Sequence, residues 1–217
     1  MKIIFSILFL VCALFIYQFN AIQLWLLERN YSWTMAKALP YIFAVIIGIL
    51  LAYTFAKGFK LKSKVLKFGV VTSLFALPFA LVFALNPIYD GDFSSQGVDV
   101  ASSKVTTDSK YNLMVITIPD CPFCLESIAR LKMIKKQHPE AQILFSVCSS
   151  DTSKLELYKE QIAGAFDIEL AAQLEESVKL ANGSFPTFFR VEKGVPVYKW
   201  SNNQFGAGAI DDFIGGL

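Results

Sequence analysis

Histidine is nearly absent from this chain of 217 residues, with His138 alone, and cysteine occupies four positions. A structural zinc site takes about four ligands at suitable spacing. Beside Cys121 and Cys124 only Cys148 and His138 remain, with no second Cys-x-x-Cys, so metal binding is disfavoured and no metal is expected. Net charge is low as well, with 20 Lys and Arg against 18 Asp and Glu, a balance of +2. That leaves no overall basic excess for a nucleic-acid partner. The apolar part of the chain lacks paired cysteines, because Cys12 stands there by itself. A dithiol relay through a membrane by this protein alone is thereby excluded. Val11 precedes Cys12 where a lipoprotein signal has a small residue, so Cys12 reads as an inert apolar side chain.

More than half of the residues are hydrophobic, 54%, which is high for a soluble domain. The excess lies in residues 1–88, which are almost all apolar, while 90–217 have a mixed composition. The chain therefore divides into a membrane domain (1–89), a linker rich in Ser, Thr, Asp and Gly (90–110, with a short strand at Val98–Val100), and a soluble domain (111–217). Three runs, Ile3–Leu27, Leu39–Ala56 and Phe68–Leu85, meet the roughly 20 apolar residues a bilayer span needs. Trp25, Tyr31, Trp33, Tyr41 and Tyr89 fall near their ends, as interfacial aromatics do. The first run exceeds the roughly 7–15 residues of a signal-peptide core and has no clean small-x-small cleavage site, so it reads as a retained helix. Gln18, Asn20 and Gln23 within it read as helix-packing polar residues. Pro78 is expected to kink the third span.

Lys57, Lys60, Lys62, Lys64 and Lys67 crowd one loop between the second and third runs. The run reads chiefly as a topology signal, because positive loops stay cytoplasmic, with a phosphate or lipid-headgroup patch as the alternative. The amino terminus is then expected on the cytoplasmic side of a bacterial inner membrane, with everything after Tyr89 in the periplasm. That compartment permits disulfide chemistry.

The chemistry resides in Cys121-Pro122-Phe123-Cys124. Leu113–Ile118 reads as a buried strand ahead of it. Leu125, Ile128, Leu131 and Ile134 follow at helical spacing. A thiol at a helix start is stabilised as thiolate by free backbone N–H groups and the helix dipole. Cys121 is assigned the attacking role, and Cys124, one turn further in, resolves the mixed disulfide. Pro122 suits the first helical turn, and Phe123 offers an apolar contact surface. Asp120 is expected to oppose thiolate formation by charge repulsion. Cys148 ends the second strand and reads chiefly as a small core residue, with an auxiliary thiol as the alternative.

Downstream, strand 142–147 is followed by helices near Thr152–Ala163 and Ile168–Leu180. Strand Phe188–Val191, the Lys193-Gly194 turn, strand Val195–Trp200 and a helix near Ala207–Ile214 complete the chain. This order demands a right-handed parallel crossover followed by a hairpin.

The dithiol at the first helix, with Phe185-Pro186-Thr187 ahead of the hairpin, resembles the thioredoxin-like superfamily over most of residues 111–217. The expected fold is an α/β thioredoxin-like mixed sheet flanked by helices, preceded by three transmembrane helices. The resemblance implies a cis Pro186 bond facing the dithiol, so that Pro122, Phe123, Phe185, Pro186 and Thr187 contact substrate. It departs from thioredoxins in lacking a Trp before Cys121 and in having Val115 where they bury an acid. The Cys-Pro-Phe-Cys form is similar to glutaredoxins, whose poise is roughly −200 to −230 mV. No basic residue lies between the cysteines, which favours reduction or isomerisation over strong oxidation.

The expected activity is exchange of disulfides with protein substrates, without a cofactor and with electrons from a separate membrane donor. The rival reading is a subunit that meets other membrane subunits through its thioredoxin-like domain, since three spans exceed what tethering needs.

Overall fold

The computed structural model describes residues 1–100 and 102–217. These form two compact units, Met1–Ile88 and Tyr89–Leu217.

The first unit is helical: α1 (Lys2–Tyr17), α2 (Phe19–Glu28), α3 (Trp33–Gly58) and α4 (Lys64–Leu85). Ser32 and Ser63 cap α3 and α4 by accepting from the N–H groups of Met35 and Leu66, the usual way to satisfy first-turn donors. Both helices are long and apolar enough to cross a membrane. The run expected as one span, Ile3–Leu27, is broken instead: α1 and α2 meet at a 67° bend, giving a third span only if the pair counts as one. No proline or glycine lies at the break. There the chain turns at Gln18, and Phe19 is buried edge-on to Tyr41 at 5.2 Å between ring centroids. Pro78 sits inside α4 without ending it. At Gly48 the α4 backbone approaches so closely that a Cβ would strike the Phe75 carbonyl.

The second unit is built on a six-stranded sheet. Its strands are β1 (Val98–Asp99), β2 (Leu113–Thr117), β3 (Ile143–Val147), β4 (Asp167–Leu170), β5 (Thr187–Glu192) and β6 (Val195–Ser201), in the order β1-β6-β5-β2-β3-β4. The helices are α5 (Pro122–Gln137), α6 (Glu156–Ile162), α7 (Leu174–Ala181) and α8 (Ala207–Gly215). β2 and β3 are buried at every position. This is why they read as mostly apolar runs, with Thr117 and Ser146 the polar members, and not as alternating ones. β2 pairs parallel with β3 and antiparallel with β5. The β5–β6 turn puts Lys193 and Gly194 both at positive φ, the two-residue turn whose twist suits a hairpin.

One sheet face carries Val115, Phe145, Phe188 and Trp200, covered by rings and helices: Tyr158 of α6 on Phe145, Phe205 stacked on Phe188 at 4.1 Å, and Arg130 of α5 over the Phe188 ring. The other carries Met114, Ile116, Leu144, Phe189 and Val191, packed with Val105, Tyr111 and Ala181. A β2–α5–β3 crossover joined to a β5–β6 hairpin, with the cysteine pair opening α5, is a thioredoxin-like fold.

Two expectations need correction. The helix expected over Ile168–Leu180 starts only at Leu174, because Asp167–Leu170 is an edge strand parallel to β3. Its burial alternates from residue to residue, the two-residue period of a strand. Residues 90–110 are also less of a tether than expected. Asp92 is buried and accepts from the N–H groups of Tyr89 and Ala207. β1 pairs with β6, and Thr107 N–H donates to the Gly194 carbonyl at 2.9 Å.

Candidate active site

β2 delivers the chain to one end of the sheet, and Ile118-Pro119-Asp120 turns it into α5. Asp120 adopts φ +55°, a left-handed conformation in which Asp is one of the tolerated residue types. Cys121 is the N-cap of α5, and its Sγ accepts from the Cys124 N–H at 3.2 Å. Pro122 occupies the first turn, where a missing N–H costs nothing. Cys121 and Cys124 form a disulfide with Cα atoms 5.2 Å apart, inside the ordinary range for a bridge. Cys121 retains 7% exposure and Cys124 none, the asymmetry an attacking and a resolving sulfur require. Pro122 is exposed, and Phe123 projects into solvent at 59% exposure. A short apolar rim thus stands beside the sulfur pair.

The facing loop arrives with β5. Ile116 of β2 pairs with Thr187, so Pro186 enters the sheet at the same end at which β2 leaves it for Cys121. The Phe185–Pro186 bond is cis, as the resemblance implied. Thr187 is buried, and its hydroxyl donates to the Ser184 carbonyl, tying the loop. Phe185 is half-buried against the cluster that contains Ile118 and Cys148.

Two residues outside the motif hold the turn before Cys121. Tyr158, fully buried on α6, donates its hydroxyl to the Ile118 carbonyl at 2.6 Å. Burial pushes that phenol up from its ordinary value, and the nearby Cys121 backbone partly offsets the shift. Lys154 Nζ lies 2.9 Å from Asp120 Oδ2, and that bond raises the lysine. Lys154 therefore partly screens the repulsion expected from Asp120. Nothing in the sequence around Lys154 marked it, since it comes from a 3-10 turn (Thr152–Leu155) 34 positions away.

Val115, where thioredoxins bury an acid, is fully buried between Phe145 and Phe188. Cys148 extends β3, with its N–H donating to the Thr117 carbonyl at 2.8 Å, so it does reach the active end of the sheet. Its side chain, however, belongs to the cluster on the face opposite Val115 and Phe145. Burial pushes its thiol up to about 11, which keeps it protonated and poorly nucleophilic at neutral pH.

No family model matches this chain, and no curated protein matches it. Solved structures with a similar fold include a secreted disulfide oxidoreductase of Mycobacterium tuberculosis described as homologous to E. coli DsbE. It shows 14% identity and TM-score 0.40, over 51% of this chain and 84% of that one. Apo Sco1 from Thermus thermophilus is 16% identical with TM-score 0.41, over 56% and 96%. A thioredoxin-like protein from Bacteroides caccae is 13% identical with TM-score 0.35, over 84% and 82%. At such identities the neighbours assign no activity.

Proposed function

We propose that this protein is a membrane-anchored thiol–disulfide oxidoreductase acting on protein substrates, with its thioredoxin-like domain in the periplasm. The observation that carries the reading is the Cys121–Cys124 bridge at the start of α5, with Cys121 the more exposed residue of the pair. In the reduced protein the Cys121 thiolate attacks one sulfur of a client disulfide. The client S–S bond breaks, its other sulfur leaves as a thiolate that takes a proton, and a mixed disulfide with Cys121 remains. The Cys124 thiolate then attacks Cys121 Sγ, closing the internal bridge and releasing the second client thiol. Two electrons pass from the cysteine pair to the client. A separate membrane dithiol restores the reduced form.

Reduction or isomerisation is favoured over strong oxidation because only Pro122 and Phe123 stand between the cysteines, and neither is basic. Phe185 and Pro186 frame the client backbone and Phe123 gives an apolar contact, while Thr187, expected to touch substrate, is buried and instead braces the loop through Ser184. The lysine loop between α3 and α4 supports a cytoplasmic amino terminus.

Insulin-disulfide reduction by the full chain in detergent, with dithiothreitol as electron source, tests the proposal. Wild type accelerates precipitation of the insulin B chain, and Cys121→Ser returns it to the uncatalysed rate. Absence of exchange by wild type, together with extraction in a defined multi-subunit assembly, supports instead a structural subunit.

A further inference from the structure

Six of the eight basic residues in the Met1–Ile88 unit gather at one end of its helices: Lys2, Lys57, Lys60, Lys62, Lys64 and Lys67. Two separate stretches of chain meet there. Phe5 packs edge-on to Phe59 at 5.5 Å and against Phe55 at 5.7 Å, while Phe55 and Phe59 stack at 4.8 Å. Lys2 Nζ lies 5.9 Å from the Phe59 ring, and a Cβ on Gly58 would touch Met1. The amino-terminal lysine is therefore held against the lysine loop by an aromatic platform.

The unit's single carboxylate is Glu28. It precedes α3, whose far end carries Lys57, and a helix of 26 residues separates the two ends by roughly 39 Å. That distance is several Debye lengths, so Glu28 does not compensate the cluster. Lys57 turns onto Tyr53, lying 4.5 Å from its ring, while Lys60, Lys62 and Lys64 are exposed. An uncompensated cationic surface at the end of membrane-length helices sits at headgroup depth, where a phosphate diester is the available anion.

We infer that this face binds the phosphate of an anionic phospholipid, with Lys60, Lys62 and Lys64 supplying charge and the Phe5–Phe55–Phe59 platform meeting the acyl boundary. The inference is independent of the redox reading. A bound lipid would seat the unit in the leaflet on the lysine side and favour membranes rich in acidic lipid.

The test uses the purified full chain in nonionic detergent, titrated with phosphatidylglycerol or phosphatidylcholine and read by native mass spectrometry. Phosphatidylglycerol is expected to bind about tenfold tighter than phosphatidylcholine, with the preference shrinking as salt rises. K60Q/K62Q/K64Q loses that preference, and K60R/K62R/K64R keeps it. Should the glutamine triple variant fail to fold, Lys62→Gln alone is expected to weaken the preference by about twofold or more. Equal affinity for the two lipids, or unchanged preference in whichever glutamine variant folds, overturns the inference. Displacement of phosphatidylglycerol by inorganic phosphate would assign the face to a free anion and also overturn it.

Discussion

Lys154 Nζ lies 2.9 Å from Oδ2 of Asp120, the residue immediately before Cys121. The pair joins a surface 3-10 turn to the loop that aims the first sulfur, next to the bond from Tyr158 to the Ile118 carbonyl. Charge at the site is thus set by a residue remote in sequence as well as by the motif.

Removing either partner should shift Cys121 reactivity in opposite directions. In Lys154→Gln the carboxylate of Asp120 stands uncompensated, disfavouring the thiolate. In Asp120→Asn the repulsion disappears and the lysine remains. The midpoint of iodoacetamide reactivity against pH should rise in the first variant and fall in the second. Both side chains are largely solvated, so each change is roughly 0.2–0.7 pH units. Identical midpoints would show that screening already removes the effect.

Tyr158→Phe keeps the ring packed on Phe145 and deletes one hydroxyl, leaving the Ile118 carbonyl without that donor. A lost bond of this kind costs about 1–2 kcal/mol. Thermal unfolding of the domain should move down by roughly 3–10 °C. The same variant should slow insulin reduction, because the turn that presents Cys121 loses its anchor.

Cys148 gives a pH signature. Its thiol is raised to about 11 in the folded state, above the roughly 8.5 of an unfolded cysteine. The native state then holds this proton more tightly than the unfolded chain. Its contribution is fully present below about pH 8.5 and is lost as pH rises towards 11. Urea denaturation at several pH values should show wild type losing more stability than Cys148→Ala across that window. Neutral-pH alkylation of the reduced protein should label Cys121 first and reach Cys148 only after denaturation.

In the helical unit, Gly48 and Gly69 make a matched comparison. A Cβ at Gly48 would strike the Phe75 carbonyl, whereas one at Gly69 would meet nothing within 4 Å. Gly48→Ala should force α3 and α4 apart, an overpacking cost of about 1–3 kcal/mol, seen as early thermal aggregation in detergent. Gly69→Ala should behave as wild type.

Much of the domain was legible because its central strands and its active turn are locally encoded. β2 and β3 are mostly apolar runs, with Thr117 and Ser146 the polar members, and Cys121-Pro122 carries its own helix start. Lys193-Gly194 announces the hairpin by turn chemistry. What escaped depends on tertiary partners. Asp167–Leu170 is a strand because β3 offers an edge, while its composition also fits a helix. The bend at Gln18 follows from burying Phe19 against Tyr41, a contact between separate helices. Lys154 and Tyr158 reach the site through side-chain bonds spanning 34 and 40 residues, beyond any local pattern.

In the proposed exchange Cys121 attacks and Cys124 resolves. Trapping tests it most directly: Cys124→Ser, Cys121→Ser and wild-type chains are expressed in cells, thiols are acid-quenched, and adducts are separated without reductant. Reductant-sensitive mixed disulfides through Cys121 are expected in Cys124→Ser, few in wild type and none in Cys121→Ser. Adducts that persist in Cys121→Ser through Cys124 or Cys148, or none in any variant, would contradict it.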